Sequence, residues 1–91
     1  MPSFTDDELL QMTVLAAERI DVGLWKKIER RTGEGYDRVL IWMPCANRAY
    51  YKIERDASGG TYLLWCAPDS WRLLVTGTFD ECLSLFQIPA H

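Results

Sequence analysis

Histidine is scarce in this sequence, which contains a single one, His91. Chain ends usually fray, so an imidazole at that position is poorly placed to act as a general base. Without another histidine, no serine or cysteine has a ready base to activate it at neutral pH. Acidic clusters at residues 6–8 and 80–81 stand in the first turns of predicted helices, where the helix dipole alone favours carboxylates. We therefore expect a protein that is not an enzyme.

Cysteine is also scarce, and its spacing is irregular. The thiols are Cys45, Cys66 and Cys82, an odd number with no C-x-x-C pair. That is not the pattern of a disulfide scaffold, and no His, Cys or Asp cluster has the spacing of metal ligands. We expect Cys45 in an exposed turn and the other two thiols in the core. The glycines at 33–35 and 59–60 fit hairpins and open no helix, so no phosphate cradle, metal or cofactor is predicted.

Long apolar runs are absent too, because the longest are only a few residues and a membrane helix needs about 20. The opening residues, MPSFTDDE, contain neither the basic start nor the apolar stretch of a signal peptide. We therefore expect a cytoplasmic protein that does not enter a membrane. A length of 91 residues is too short for two separate cores, so residues 1–91 are expected to form a single α+β domain.

Two capping boxes indicate where helices begin. Thr5, with Glu8 three residues later, predicts a helix over about residues 6–19, along which apolar side chains recur at helical spacing. Thr78 and Glu81 form the same pattern and predict a short second helix near the other end of the domain.

The chain between the two helices is typical of strands. Its segments are rich in β-branched and aromatic residues, and turn signals at 57–59 and 67–70 separate some of them. Residues 24–31 fit either a strand or a helix, but the run KIER at 27–30 recurs at 52–55, which favours a strand in both places. The other predicted strands are residues 36–43, 47–56, 60–66 and 71–77.

These elements predict an α+β fold with an N-terminal helix, an antiparallel β-meander of four or five strands and a short C-terminal helix. The loops are too short for parallel crossovers, so strands that follow one another in the sequence are expected to pair. Both helices should then cover one face of the sheet.

Charge is unevenly distributed along the chain. Residues 22–55 contain eight basic and four acidic residues, whereas the rest of the chain contains two basic and nine acidic ones. The helical ends are therefore acidic and the first half of the predicted sheet is basic, within a net charge of −3.

Two-residue alternation along the strands predicts which side chains face the helices. The predicted helix-facing residues are Leu24, Ile28, Val39, Ile41, Met43, Tyr51, Ile53, Leu73 and Val75. The opposite face should then collect aromatic and basic side chains. That predicted set is Trp25, Lys27, Arg31, Arg38, Trp42, Arg48, Tyr50, Lys52 and Arg72.

An aromatic and basic sheet face predicts a non-enzymatic protein–protein interaction module, whose partner is another protein or a second copy of the chain. Trp25, Trp42 and Tyr50 are the predicted apolar anchors, surrounded by arginine contacts. One alternative is weak binding of single-stranded nucleic acid on the same face, although an isoelectric point near 5.0 disfavours it. A second alternative is a small acidic inhibitor that binds a basic target through its helical face. A third is a small apolar ligand held between the first helix and the sheet. The remaining interpretation is a solvated sheet face whose aromatic side chains shield the backbone and whose lysines pair with Glu29 and Glu54.

Overall fold

The described residues form a helix, five strands and a second helix, in that order along the sequence. The computed structural model describes residues 3–45, 47–56, 58–66 and 70–87, the side chains of 64–66 and 87 excepted. The elements are α1 (Asp6–Asp21), β1 (Lys27–Gly33), β2 (Tyr36–Trp42), β3 (Ala49–Asp56), β4 (Thr61–Cys66), β5 (Trp71–Gly77) and α2 (Phe79–Gln87).

The predicted α+β fold is confirmed, and the ambiguous segment at 24–31 is a strand from Lys27 onward. No helix in the described ranges is long and apolar enough to span a bilayer. Three predictions fall outside the described residues: the position of His91, the turn at 67–69 and the burial of the Cys66 side chain.

Both helices begin at the capping boxes that the sequence predicts. Before α1, the Thr5 N–H donates to Glu8 Oε1 at 2.8 Å, and the Glu8 N–H donates to Thr5 Oγ1 at 3.1 Å. Before α2, Thr78 and Glu81 exchange the same pair of hydrogen bonds, each at 3.1 Å. Each box satisfies two backbone donors that the first turn of a helix leaves without partners.

The five strands form one antiparallel sheet in the order β1-β2-β3-β4-β5. A two-residue turn joins β1 to β2, and Gly35 within it has a φ of 78°, which favours glycine. The register shifts by one residue at two places, between Ile41 and Trp42 opposite β3, and between Leu63 and Leu64 opposite β5. At each shift, one strand carries an extra residue, which changes the face on which the following residues lie.

The core lies between the helices and one face of the sheet. The central strands contribute Val39, Ile41, Ile53 and Leu63, each at most 1% exposed. From the helices, the buried apolar residues are Met12, Leu15 and Ala16 of α1, and Phe79, Cys82 and Leu83 of α2. Since the two helices share one cluster with the same strand residues, they cover the same face of the sheet, as predicted.

A buried carboxylate ties the start of α1 to this face. Asp37 is 1% exposed, and it accepts hydrogen bonds from Arg30 Nε at 3.0 Å, from Arg30 Nη2 at 2.7 Å and from the Phe4 N–H at 3.0 Å. Burial by itself would raise the pKa of Asp37, but these donors favour the charged carboxylate and the pKa lies below its usual range. Next to it in the register, Arg55 binds Glu8 Oε2 at 2.6 Å and the Ser3 carbonyl at 3.0 Å.

Replacing Asp37 with asparagine tests this attachment. The Asp37→Asn variant removes the negative charge that Arg30 and the Phe4 N–H share, so we expect the free energy of unfolding to fall by about 2 kcal/mol at pH 7. The pKa of the Asp37 carboxyl is lower in the folded protein than in the unfolded chain. The charged carboxylate therefore contributes its full stabilisation of the fold above the ordinary carboxyl pKa of about 4, and this contribution is lost as the pH falls through the folded-state pKa. The difference between the two proteins in urea unfolding should therefore narrow below about pH 4.

The matched control is Glu29→Gln, which removes a solvent-accessible ion pair with Arg31. The free energy of unfolding of this variant should fall by less than about 1 kcal/mol, and its difference from the wild type should not narrow in the same way at low pH. Equal losses in the two variants at pH 7 would contradict a special role for the buried carboxylate.

Candidate functional site

The side of the sheet turned away from the two helices is here called the open face. The register assigns its members, because residues directly opposite each other on paired strands lie on one face. Lys27 stands opposite Trp42, Leu40 opposite Lys52, and Arg38 opposite Glu54. The described side chains of the open face include Lys27, Glu29, Arg31, Tyr36, Arg38, Leu40, Trp42, Lys52, Glu54, Tyr62, Trp71 and Leu73.

Two tryptophans of the open face each lie beneath a lysine ammonium. Lys27 Nζ is 4.6 Å from the centroid of the Trp42 ring, and Lys52 Nζ is 4.6 Å from the centroid of the Trp71 ring. Both distances are within the range of cation–π attraction. The indole Nε1 of Trp42 is buried and has no hydrogen-bond acceptor among the described residues. The face thus combines aromatic area, positive charge and an unused donor.

A carboxylate links the basic residues at the centre of the face. Glu54 Oε2 lies 3.2 Å from Arg38 Nε and 3.9 Å from Lys52 Nζ. The Arg38 guanidinium also lies 4.0 Å from the centroid of the Tyr36 ring. On the β1 side, Glu29 has a similar place, because its carboxylate lies 2.6 Å from Arg31 Nε and 4.0 Å from Lys27 Nζ. Acidic and basic groups therefore alternate across the face.

Lys52 is unusual because a charged side chain is buried on the side of the sheet without helices. It is 8% exposed, and its cross-strand neighbour Leu40 is 7% exposed. Burial lowers the pKa of the Lys52 ammonium; Glu54 opposes this effect and Arg38 adds to it. The charged form is therefore less favourable in the folded protein than in the unfolded chain, so this charge reduces stability.

Trp25 was predicted on the open face, and this prediction is wrong. The indole is 5% exposed in the core and meets Phe86 of α2 edge-on, with ring centroids 5.3 Å apart. Leu24, predicted to face the helices, is 57% exposed. The N–H groups of both residues donate to the Arg19 carbonyl, at 2.9 and 3.2 Å. They belong to the turn that ends α1, so strand alternation does not extend to them.

Arg72 and Leu73 lie on the faces opposite to those predicted. Arg72 stands opposite residue 65, which in turn stands opposite the helix-facing Tyr51, so Arg72 lies on the helix side. Leu73 stands opposite residue 64 on the open face and is 57% exposed. The register shift between residues 63 and 64 reverses the alternation in the first half of β5. Val75, beyond the shift, packs against the core as predicted.

Tyr50 and Arg48 lie together at the end of the β2–β3 hairpin rather than at the centre of the open face. Tyr50 falls at the register shift between Ile41 and Trp42, and it is 40% exposed. Both residues line an open pocket of about 350 Å³ with Met43, Pro44, Cys45 and Asn47. Cys45 is exposed, as predicted, and has a φ of 63°.

The sequence interpretation missed Trp71, and it named Glu29 and Glu54 only as lysine partners on a solvated face, not as interaction residues. Trp71 could not be assigned because its face depends on the register shift in β5. The two glutamates carry a visible signal, because each stands two residues after a lysine in the repeated KIER run. Two-residue spacing on a strand places the lysine and the glutamate on one face, where they pair.

The described residues contain no group of three or more His, Cys, Asp or Glu side chains that could hold a metal ion. Cys82 is fully buried, and burial together with the nearby Glu81 raises the pKa of its thiol, which disfavours the reactive thiolate. Neither observation adds a chemical group to the open face.

No protein-family model, curated protein or solved structure matches this chain. Functional inference therefore rests on the geometry of the residues described above.

The buried ammonium of Lys52 leads to a stability prediction. In Lys52→Met, an apolar chain of similar length replaces the amine, and we expect the free energy of unfolding to rise by about 1 kcal/mol at pH 7. This corresponds to a thermal midpoint about 4–8 °C higher for a domain of this size. Because folding lowers the lysine pKa, the wild type should gain stability as the pH rises toward 10, and the difference between the proteins should shrink.

The control is Lys27→Met, since Lys27 is half exposed above the other tryptophan. Its effect on the midpoint should be small, because an exposed ammonium loses little hydration on folding. A fall in the stability of Lys52→Met would contradict the destabilising role of the buried charge.

Proposed function

We propose that the protein is a non-enzymatic protein–protein interaction module of the cytoplasm, and that a partner protein binds on the open face. The observation that carries the proposal is the pair of lysine-capped rings, Trp42 with Lys27 and Trp71 with Lys52. Aromatic side chains surrounded by charged groups are enriched at protein interfaces, where the rings provide apolar area and the charges set orientation.

The burial of Lys52 supports the same proposal. Because the Lys52 charge reduces the stability of the fold, a role in binding a partner explains it better than a role in stabilising the free chain. Lys52 lies between Trp71 and Glu54, so a carbonyl group of a partner would find an ammonium already positioned beside an aromatic ring.

A protein partner is favoured over single-stranded nucleic acid by the carboxylates of the face. Glu29 lies within 4.0 Å of both Lys27 and Arg31, and Glu54 within 4.0 Å of both Arg38 and Lys52. Phosphates that approached these basic residues would meet the carboxylates as well. A protein surface with groups of both signs suits such an alternation better.

The acidic helical face is the weaker of the protein-binding alternatives. Glu8 is occupied by Arg55 at 2.6 Å and by the Thr5 N–H, so it contributes to the internal anchor of α1. Asp7 and Glu18 are exposed on α1, so Glu18 is a suitable position for a comparison probe on this face.

Site-specific photocrosslinking in living cells tests the proposal. A benzophenone amino acid at Arg31, exposed on the open face, should give a discrete adduct that is destroyed by protease and not by nuclease. The same group at Glu18 should give none. Adding Trp42→Ala to the Arg31 probe should lower the adduct yield at least about tenfold, because interface aromatics often contribute 2 kcal/mol or more.

Leu10→Ala, an exposed apolar residue on α1, is the control for the loss of Trp42, and it should leave the yield unchanged. A thermal melt of each variant separates loss of binding from loss of the fold. A nuclease-sensitive adduct at Arg31 would favour nucleic acid instead, and an adduct only at Glu18 would favour the acidic-inhibitor alternative.

A further inference from the structure

The two edges of the sheet differ in their protection against strand pairing. An edge strand presents unpaired N–H and C=O groups to any extended chain that reaches it, and natural sheets usually place charges there. β1, with the sequence KIERRTG, has four charged residues among seven. β5, with the sequence WRLLVTG, has Arg72 as its one charged residue. In the described part of the chain, no strand pairs with the outer side of β5.

β5 also exposes apolar side chains. Leu73 is 57% exposed and Leu74 is 45% exposed, and they stand at the register shift opposite β4. The extra residue at the register shift protects the edge in part, but an edge strand with exposed leucines and few charges still offers a favourable site for the addition of another strand.

The charges near β5 indicate which strand fits. Arg72 lies near the start of β5, on the helix side of the sheet. At the other end of β5, Gly77 lies close to Glu81, because a Cβ built on Gly77 would be 2.9 Å from Glu81 Oε1. The acidic first turn of α2 therefore adjoins this end of β5, on the helix side of the sheet. A second β5 running antiparallel brings each Arg72 toward the acidic end of the other copy. A parallel arrangement would instead place the two arginines side by side.

We propose that β5 pairs antiparallel with β5 of a second copy of this chain, which forms a symmetric dimer with a continuous ten-stranded sheet. A two-fold axis makes the contact self-complementary, since each Arg72 faces the other copy's acidic turn. Pairing covers Leu73 and Leu74, satisfies the outer backbone groups of β5 and joins the two open faces into one surface. The dimer does not depend on the binding of a partner protein at the open face.

Sedimentation velocity over a range of protein concentrations tests the dimer. The wild-type mass should rise from 10.5 kDa toward twice that value as the concentration increases. Leu74→Lys, which places a charge on the edge, should remain at the monomer mass at every concentration. Leu10→Lys makes the same change at a site on α1 that is 61% exposed, and it should sediment like the wild type.

A charge exchange tests the orientation of the strands. Arg72→Glu should abolish dimerisation by placing like charges together, and the double variant Arg72→Glu with Asp80→Arg should restore it. Amide hydrogen exchange adds a second readout, because the amides of residues 71–77 should become more protected at concentrations that favour the dimer.

Three results would overturn the proposal. They are a wild type that stays monomeric at all concentrations, a Leu74→Lys variant that dimerises like the wild type, and a dimer without added protection in β5. Trp42→Ala separates this proposal from binding at the open face, because it should leave the edge dimer intact. Loss of the dimer in Trp42→Ala but not in Leu74→Lys would assign self-association to the open face instead.

Discussion

The structure depends on one constraint of size: two short helices have to cover a five-stranded sheet. Helices of 16 and 9 residues are about 24 and 14 Å long and about 10 Å wide, while the five strands span about 20 Å from edge to edge. Side by side, the helices are just wide enough for one face. In the described part of the chain, no helix covers the other face, so its own side chains do so, and Leu40 and Lys52 are buried there.

The repeated KIER run shows how one short pattern serves both faces. In each copy, the lysine and glutamate lie on the open face, while the isoleucine and arginine lie on the helix side. The two copies flank β2 on opposite sides. Their arginines, Arg30 and Arg55, meet the start of α1 through Asp37, Glu8 and the Ser3 carbonyl. Two of the basic residues of the sheet are therefore used to hold the first helix in place.

The elements of the fold could be predicted because their signals are local. Capping boxes depend on residues three apart, and strand composition and alternation depend on neighbours, so α1, α2 and the antiparallel order follow from the sequence. Alternation also places Lys27, Arg38, Trp42 and Lys52 together correctly, because β1 pairs with β2 in a regular register, and β2 pairs with β3 in a regular register as far as Ile41.

The rest of the candidate site could not be predicted because it depends on pairing between distant residues. Leu73 and Arg72 exchange faces at a register shift that no glycine or proline marks. Trp25 lies in the core because the end of α1 holds the backbone beside it. In the sequence, Asp37 has the features of an ordinary strand residue, and its buried position depends on a hydrogen bond from the N–H of Phe4, 33 positions away. In each case the deciding partner is a backbone group, which the identity of a side chain does not reveal.

The ring of Phe86 has a consequence for the order in which the chain acquires its structure. It lies between Trp25 and Tyr51, with centroids 5.3 and 5.2 Å away, and its carbonyl accepts a hydrogen bond from Arg19. The first helix, the turn that follows it and the middle strand therefore all contact one residue near the end of α2. We therefore expect these aromatic contacts to form only after residue 86 has left the ribosomal exit tunnel.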